Sequence, residues 1–158
     1  DVVRATDHIN LSGTSPLTGL GESRLGPLFP DQTRVHDAEL GRLADEAARA
    51  GDVTLGTAVV ACTVGPALST PAEHAWFAGA GADVAVQRLA GPLVAAAHAG
   101  VATVAFVAVA DVAGERGVDV AELVARAART APTLDGLVLR TIERLAPLAR
   151  ERAEEERP

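Results

Sequence analysis

The chain is 158 residues long, the size of one ordinary domain, with 48% hydrophobic residues but only 3% aromatics, so its core must be built from Ala, Val and Leu. All fourteen positive residues are arginine, and twenty-one acids bring the net charge to −7, which works against the counterion-driven attraction that binding to DNA or RNA needs. A single cysteine, Cys62, excludes an internal disulfide; within its apolar run it reads as a small buried hydrophobe and suits a reducing cytoplasm, the expected location.

Residues 2–11 predict a short strand. Residues 12–34 follow as a Gly- and Pro-rich stretch without periodicity, too long for a plain connector and therefore a candidate functional loop. Leu40, Leu43 and Ala47 recur at helical spacing between Asp37 and Gly51, which predicts a helix over 37–50, and a long strand is expected over 53–64. Thr70-Pro71-Ala72-Glu73 is a capping box with proline at the first helical position, so a helix starts there and ends before Gly79. A strand over 84–87, a helix over 91–99 and a valine-rich strand over 101–110 come next. Asp119 with Glu122 caps a helix running to about Thr130. Pro132 interrupts it, and a last helix begins at Leu134 and frays among Glu and Arg. The expected organisation is one continuous domain over 1–149 and a charged, solvated tail over 150–158.

This alternation of strand and helix gives the α/β class, in which ligands bind beyond the C-terminal ends of the strands. The segments following Val64, Val86 and Val109 are therefore the places to look for a site. Residues 92–112 approach membrane-spanning length, but His98 and Gly100 divide them and alanine dominates, so no membrane segment is expected. The N-terminus carries no basic region followed by an apolar core and cleavage site, so no signal peptide is expected either.

Gly19, Gly21 and Gly26 do not make a dinucleotide loop: Arg24 stands where its third glycine is needed, and no strand-to-helix context surrounds them. His8, His36, His74 and His98 lack the paired spacing of zinc sites, so no metal is expected. Three other segments are more specific. Asp7-His8-Ile9-Asn10-Leu11, with Ser12-Gly13, Ser15-Pro16-Leu17 and Phe29-Pro30-Asp31, forms the first, and Gly65-Pro66-Ala67-Leu68-Ser69-Thr70-Pro71-Ala72-Glu73 the second. Gly81-Ala82-Asp83 with His98-Ala99-Gly100 is the third. Together they resemble the trimeric purine nucleoside phosphorylases and methylthioadenosine phosphorylases, in register from Asp1 to about Leu145, although that family normally has asparagine where Ser15 stands.

The resemblance implies a single α/β domain with a mixed, largely parallel sheet flanked by helices. It also implies phosphorolysis of the N-glycosidic bond of a purine nucleoside, with inorganic phosphate as co-substrate and no other cofactor. The sugar becomes cationic and the departing purine anionic, so such a site must hold phosphate near one and donate a hydrogen bond to the other. Asp111 falls where the family contacts the purine ring; an aspartate there resembles enzymes for 6-aminopurines and must be protonated to donate. An apolar surround of Val107, Val109 and Val112 is expected to favour that state by burial. A helix-capping or loop aspartate is the alternative. Ser69 replaces the glutamate that reads 6-oxopurines, and Val118 lies where an apolar residue meets the sugar's 5′ substituent, although ordinary core packing also explains Val118. Both favour adenine or methylthioadenosine substrates.

Other positions depart from the family pattern. Leu68 replaces an aromatic that packs on the base, and Leu25 a residue, often aromatic, that reaches the neighbouring subunit's pocket. Gln87 stands for a methionine beneath the ribose, Arg88 for a small hydroxyl residue at the phosphate, and Pro92 for a glutamate. Arg88 either binds phosphate through its planar fork of donors or fills the phosphate site itself. The family's Gly-rich phosphate loop and its accompanying histidine and arginine have no counterpart here. The expectation is therefore a homo- or hetero-oligomer in which another chain supplies that part, with a non-catalytic pseudoenzyme or structural subunit as the competing reading.

Overall fold

A computed structural model describes residues 1–20, 23–114 and 119–155. Its elements run β1 (Val2–Asn10), α1 (Ala38–Ala50), β2 (Leu55–Thr63), α2 (Pro71–Gly79), β3 (Val84–Gln87), α3 (Ala90–His98), β4 (Phe106–Ala108) and α4 (Val120–Glu155). The sheet order is β3-β2-β1-β4; β1 and β3 run parallel to β2, and β4 runs antiparallel to β1. The mixed, largely parallel sheet of an α/β domain is thus as expected.

Pairing of β1 with β2 shifts between Ala5 and Asp7, where one extra residue forms a bulge. Before the shift Val2 and Arg4 oppose Leu55 and Thr57; after it Ile9 opposes Ala61, while His8 and Asn10 oppose Val60 and Cys62. Side chains alternate between faces with a period of two, so the bulge decides which face each residue of β1 serves. On one face Val2 packs with Ala47 and Ala48 of α1 and Leu137 of α4, and Ile9 packs with Ala61, Phe77 and Ala82. On the other, Ala5, Val60, Cys62 and Ala90 gather Val84 and Val86 from β3 and Ala105 and Val107 from around β4. Residues around the two edge strands thus meet over one apolar cluster, so the sheet is curled.

Helix termini follow their sequence signals. Asp37 caps α1 by accepting from the Leu40 amide at 2.8 Å. At the other end of α1, the Arg140 guanidinium of α4 donates to the Ala47 carbonyl at 3.2 Å and occupies the space that a side chain on Gly51 would need. Arg4 forks onto both oxygens of Asp45 at 3.0 Å, fastening α1 to β1. In α2 the Thr70 amide donates to Glu73 and the Glu73 amide donates to the Thr70 hydroxyl, completing the capping box.

Two expectations need correction. The helix expected to stop near Thr130 and restart at Leu134 is one element of 36 residues with Pro132 and Pro147 inside it, and it continues into the segment expected to be a tail. Proline removes one donor from the ladder, but Leu134 and Leu137 on the next turn pack against the α1 cluster and hold the axis continuous. The strand expected over 101–110 forms a ladder only over Phe106–Ala108. Upstream, Thr103 bridges to His36 and accepts from the Asp37 amide at 2.9 Å. The segment serves two neighbours in turn and spends its hydrogen bonds on both.

Candidate functional site

An open cleft of about 620 Å³ lies between the residues around β3, the segment 107–113 that includes the end of β4, the face of α2 bearing His74 and Phe77, and Leu123 of α4. Of the residues singled out from sequence, Leu68, Ser69, Gln87 and Asp111 line it together, 43 positions of chain separating the first from the last. Leu68 is 52% exposed, an apolar side chain presented to the opening. Val107, Val109 and Val112 also line the cleft, but Asp111 itself is exposed, so the burial expected around its carboxyl is not formed by the described residues.

Gln87 is committed locally. Its Nε2 donates to the Ala67 carbonyl at 2.9 Å, and its Oε1 lies 2.0 Å from where a Cβ on Gly65 would stand. Gly65 has φ +71°, a left-handed conformation that glycine adopts without strain, so the turn before Leu68 is shaped by a glycine and fastened by Gln87. Arg88 also has positive φ, +64°, its amide donating to the Thr63 carbonyl at 2.8 Å. Its side chain is exposed and does not line the cleft. Leu25 is 71% exposed on the long loop, also away from the cleft, and Val118 lies outside the described residues.

Among the described residues no arginine lines the cleft. It offers a carboxylate at Asp111, hydroxyls at Ser69 and Thr63, an imidazole at His74 and an apolar floor of valines and alanines. Such a surface suits a flat heteroaromatic ring with a few polar edge atoms.

Sequence reasoning missed His74, Phe77 and Asp83 as lining residues. Asp83 Oδ2 accepts from the Val59 amide at 2.8 Å, next to the β1 bulge, while its own amide donates to the Val59 carbonyl at 2.9 Å. A short acid between a glycine turn and a strand was the available signal.

Sequence spacing also missed a second cluster. His8 and His36, 28 positions apart, meet with Nδ1 of His8 3.1 Å from Nε2 of His36, the rings edge to face. One ligand-capable atom from each of these, and one from Asp7, all lie within 4.8 Å of one another. Burial pushes the His8 imidazole below its usual range against the opposing pull of Asp7; burial and then the facing His8 lower His36. Cys62 is fully buried, and burial raises its thiol, consistent with a packing role.

The family model described as the phosphorylase superfamily matches residues 1–143. Purine nucleoside phosphorylase 1 of Bacillus subtilis (strain 168) is 34% identical over 100 residues, covering 63% of this chain and 37% of the relative. A putative purine nucleoside phosphorylase of Schizosaccharomyces pombe is 33% identical over 111 residues, covering 67% of this chain and 35% of its own length. The solved structure of isoform 2 of purine nucleoside phosphorylase from Schistosoma mansoni, in complex with cytosine and ribose-1-phosphate, superposes with a TM-score of 0.80 at 26% identity, over 92% of this chain and 54% of that one. The adenosine complex of the purine nucleoside phosphorylase from the same organism gives 0.76 at 27%, over 92% and 56%. The chain therefore spans a little over a third of the curated relatives and about half of the solved chains. With that match spanning the strands and helices that build the cleft, the chain belongs to the phosphorylase superfamily.

Proposed function

We propose that this chain carries the base-facing part of a purine nucleoside phosphorolysis site, in which phosphate attacks the sugar's anomeric carbon as the bond to the purine nitrogen breaks. The observation that carries this reading is the convergence of Leu68, Ser69, Gln87 and Asp111 on one cleft with an apolar floor. Asp111 meets the purine ring at the nitrogen on which negative charge develops, Leu68 covers the ring and Ser69 reads its edge. Serine in place of an acid favours 6-aminopurine or methylthioadenosine-type substrates.

The exposed side chains of Arg88 and Leu25, neither of which lines the cleft, support activity in an oligomer, homomeric or heteromeric, in which another chain completes the phosphate site with Arg88 and Leu25 reaches a neighbouring subunit's pocket. The relatives are named as purine nucleoside phosphorylases, and the solved ones hold nucleosides, bases or ribose-1-phosphate, which supports the substrate class. No helix among the described residues is long and apolar enough to cross a membrane, and the unpaired Cys62 supports a cytoplasmic setting. A second reading, a non-catalytic subunit of such an assembly, is favoured by Gln87, whose side chain is tied to Ala67.

The test is base release from 5′-methylthioadenosine, adenosine and inosine, each with and without phosphate, by the protein isolated from its native host with any co-purifying chain. Adenine release that requires phosphate is expected. Preference for inosine would overturn the 6-aminopurine assignment, and silence from folded protein with all three would favour the non-catalytic subunit.

A further inference from the structure

The long Gly- and Pro-rich loop leaves β1 at Asn10 and returns to the sheet at His36, one residue before the cap of α1. His8 and His36 stand near its two ends and touch. None of Asp7, His8 and His36 lines the cleft, and the phosphorolysis reading gives them no task.

We propose that Asp7, His8 and His36 bind one divalent transition cation of the zinc type, which fastens the two ends of this loop together. Tetrahedral zinc with bonds of 2.0–2.1 Å to imidazole places its donor atoms about 3.3 Å apart. The ring nitrogens of His8 and His36 already stand 3.1 Å apart, so a cation between them needs an opening of only a few tenths of an ångström. A carboxylate oxygen of Asp7 completes three donors within 4.8 Å. The Asp7 carboxylate is steadied by accepting from the His8 amide at 2.7 Å.

Donor chemistry selects the class of ion. Two imidazoles and one carboxylate suit zinc and its neighbours, whereas magnesium and calcium seek all-oxygen sets. Asp7 is exposed and both histidines are partly so, which leaves a route for the ion and room for water as a fourth ligand. Arg4, the nearby cation that would oppose binding, is held in the two-pronged pair with Asp45. On the loop side, Thr103 both bridges to His36 and donates its hydroxyl to the Val35 carbonyl, so the His36 backbone is fixed before any ion arrives.

The test is titration of the chelator-treated chain with zinc chloride, followed by calorimetry and by the melting temperature. One equivalent is expected to bind and to raise the melting temperature. His36→Gln and His8→Gln should each weaken binding by about a hundredfold and Asp7→Asn by about tenfold, each tenfold being about 1.4 kcal/mol. His74→Gln should leave zinc affinity unchanged. Histidine acylation of the wild-type chain, read peptide by peptide, keeps the proposal falsifiable if a variant does not fold: zinc should shield His8 and His36 but not His74. Equal affinity in the His8→Gln/His36→Gln double variant, or no shielding of the pair in the wild type, overturns the site. Neither readout depends on nucleoside turnover, so the outcome is independent of the phosphorolysis reading.

Discussion

Gly65→Ala is the most informative perturbation near the cleft, because two separable effects meet there. A non-glycine residue held at φ +71° costs about 1–2 kcal/mol in backbone strain. The new methyl would also stand 2.0 Å from Gln87 Oε1 and push that side chain off the Ala67 carbonyl, a loss of about 1 kcal/mol for an amide hydrogen bond. The single variant should therefore lose about 2–3 kcal/mol and Gln87→Ala about 1 kcal/mol. With Gln87 already truncated only the strain remains, so the double variant should cost no more than Gly65→Ala alone, a sub-additivity of about 1 kcal/mol. Urea unfolding of the four proteins, followed by circular dichroism and fitted with a common slope, measures this cycle. If the two losses add, the methyl and the amide do not compete for the same space, and the account of the turn before Leu68 is wrong.

Other consequences are open to the same instruments. Leu137→Ala empties a fully buried position where α4 meets α1 and β1 and should cost about 3 kcal/mol, whereas Leu139→Ala, two residues on and 60% exposed, should stay within about 0.5 kcal/mol; equal losses would deny that α4 docks through the Leu137 face. Asp111→Ala should leave the urea midpoint nearly unchanged, since the side chain is exposed, while weakening purine binding at least about tenfold by calorimetry. Glu73 is held below its ordinary value of 4.5, first by the Thr70 amide and then by the Thr70 hydroxyl. Its contribution is therefore present above that value and lost as pH falls below it. Glu73→Gln keeps a side chain that can accept from the Thr70 amide, so its stability should decline less steeply than wild type below that value; parallel pH profiles would remove the capping box from the acid response.

Local signals carried the reading wherever a side chain served its own neighbourhood. Asp37, Thr70 with Glu73, and Gly51 each announce a helix end, and each stands within a residue or so of the end it marks. The valines of 84–87 announce a strand whose limits match. Pro132 misled because its local effect is opposed by packing from the next turn, where Leu134 and Leu137 reach α1 across more than eighty residues of chain. The 101–110 segment misled because alternating valines describe an extended chain but not its partners. Within the cleft, Leu68, Ser69, Gln87 and Asp111 were legible through the segments that bear them. His74 and Phe77 were not, since a helix face turned toward a cleft looks in sequence like a helix face turned toward a core. The meeting of His8 and His36 had no local mark at all: it depends on the loop closing and on the register shift in β1.

That register shift bears on which changes of length the chain can accept. Deleting Thr6 would remove the bulge and leave the pairing from Asp7 onward unchanged, whereas adding one more residue there would turn everything downstream to the opposite face of the sheet. His8 would then leave His36, and Ile9 would leave Phe77 and Ala82, for the price of a single codon. The loop over 12–34 offers the opposite case: added residues there lengthen an excursion whose ends are already held, and closure entropy grows only slowly with length. Insertions among homologues should therefore gather in that loop and be missing from β1, even though the strand is by far the shorter of the two.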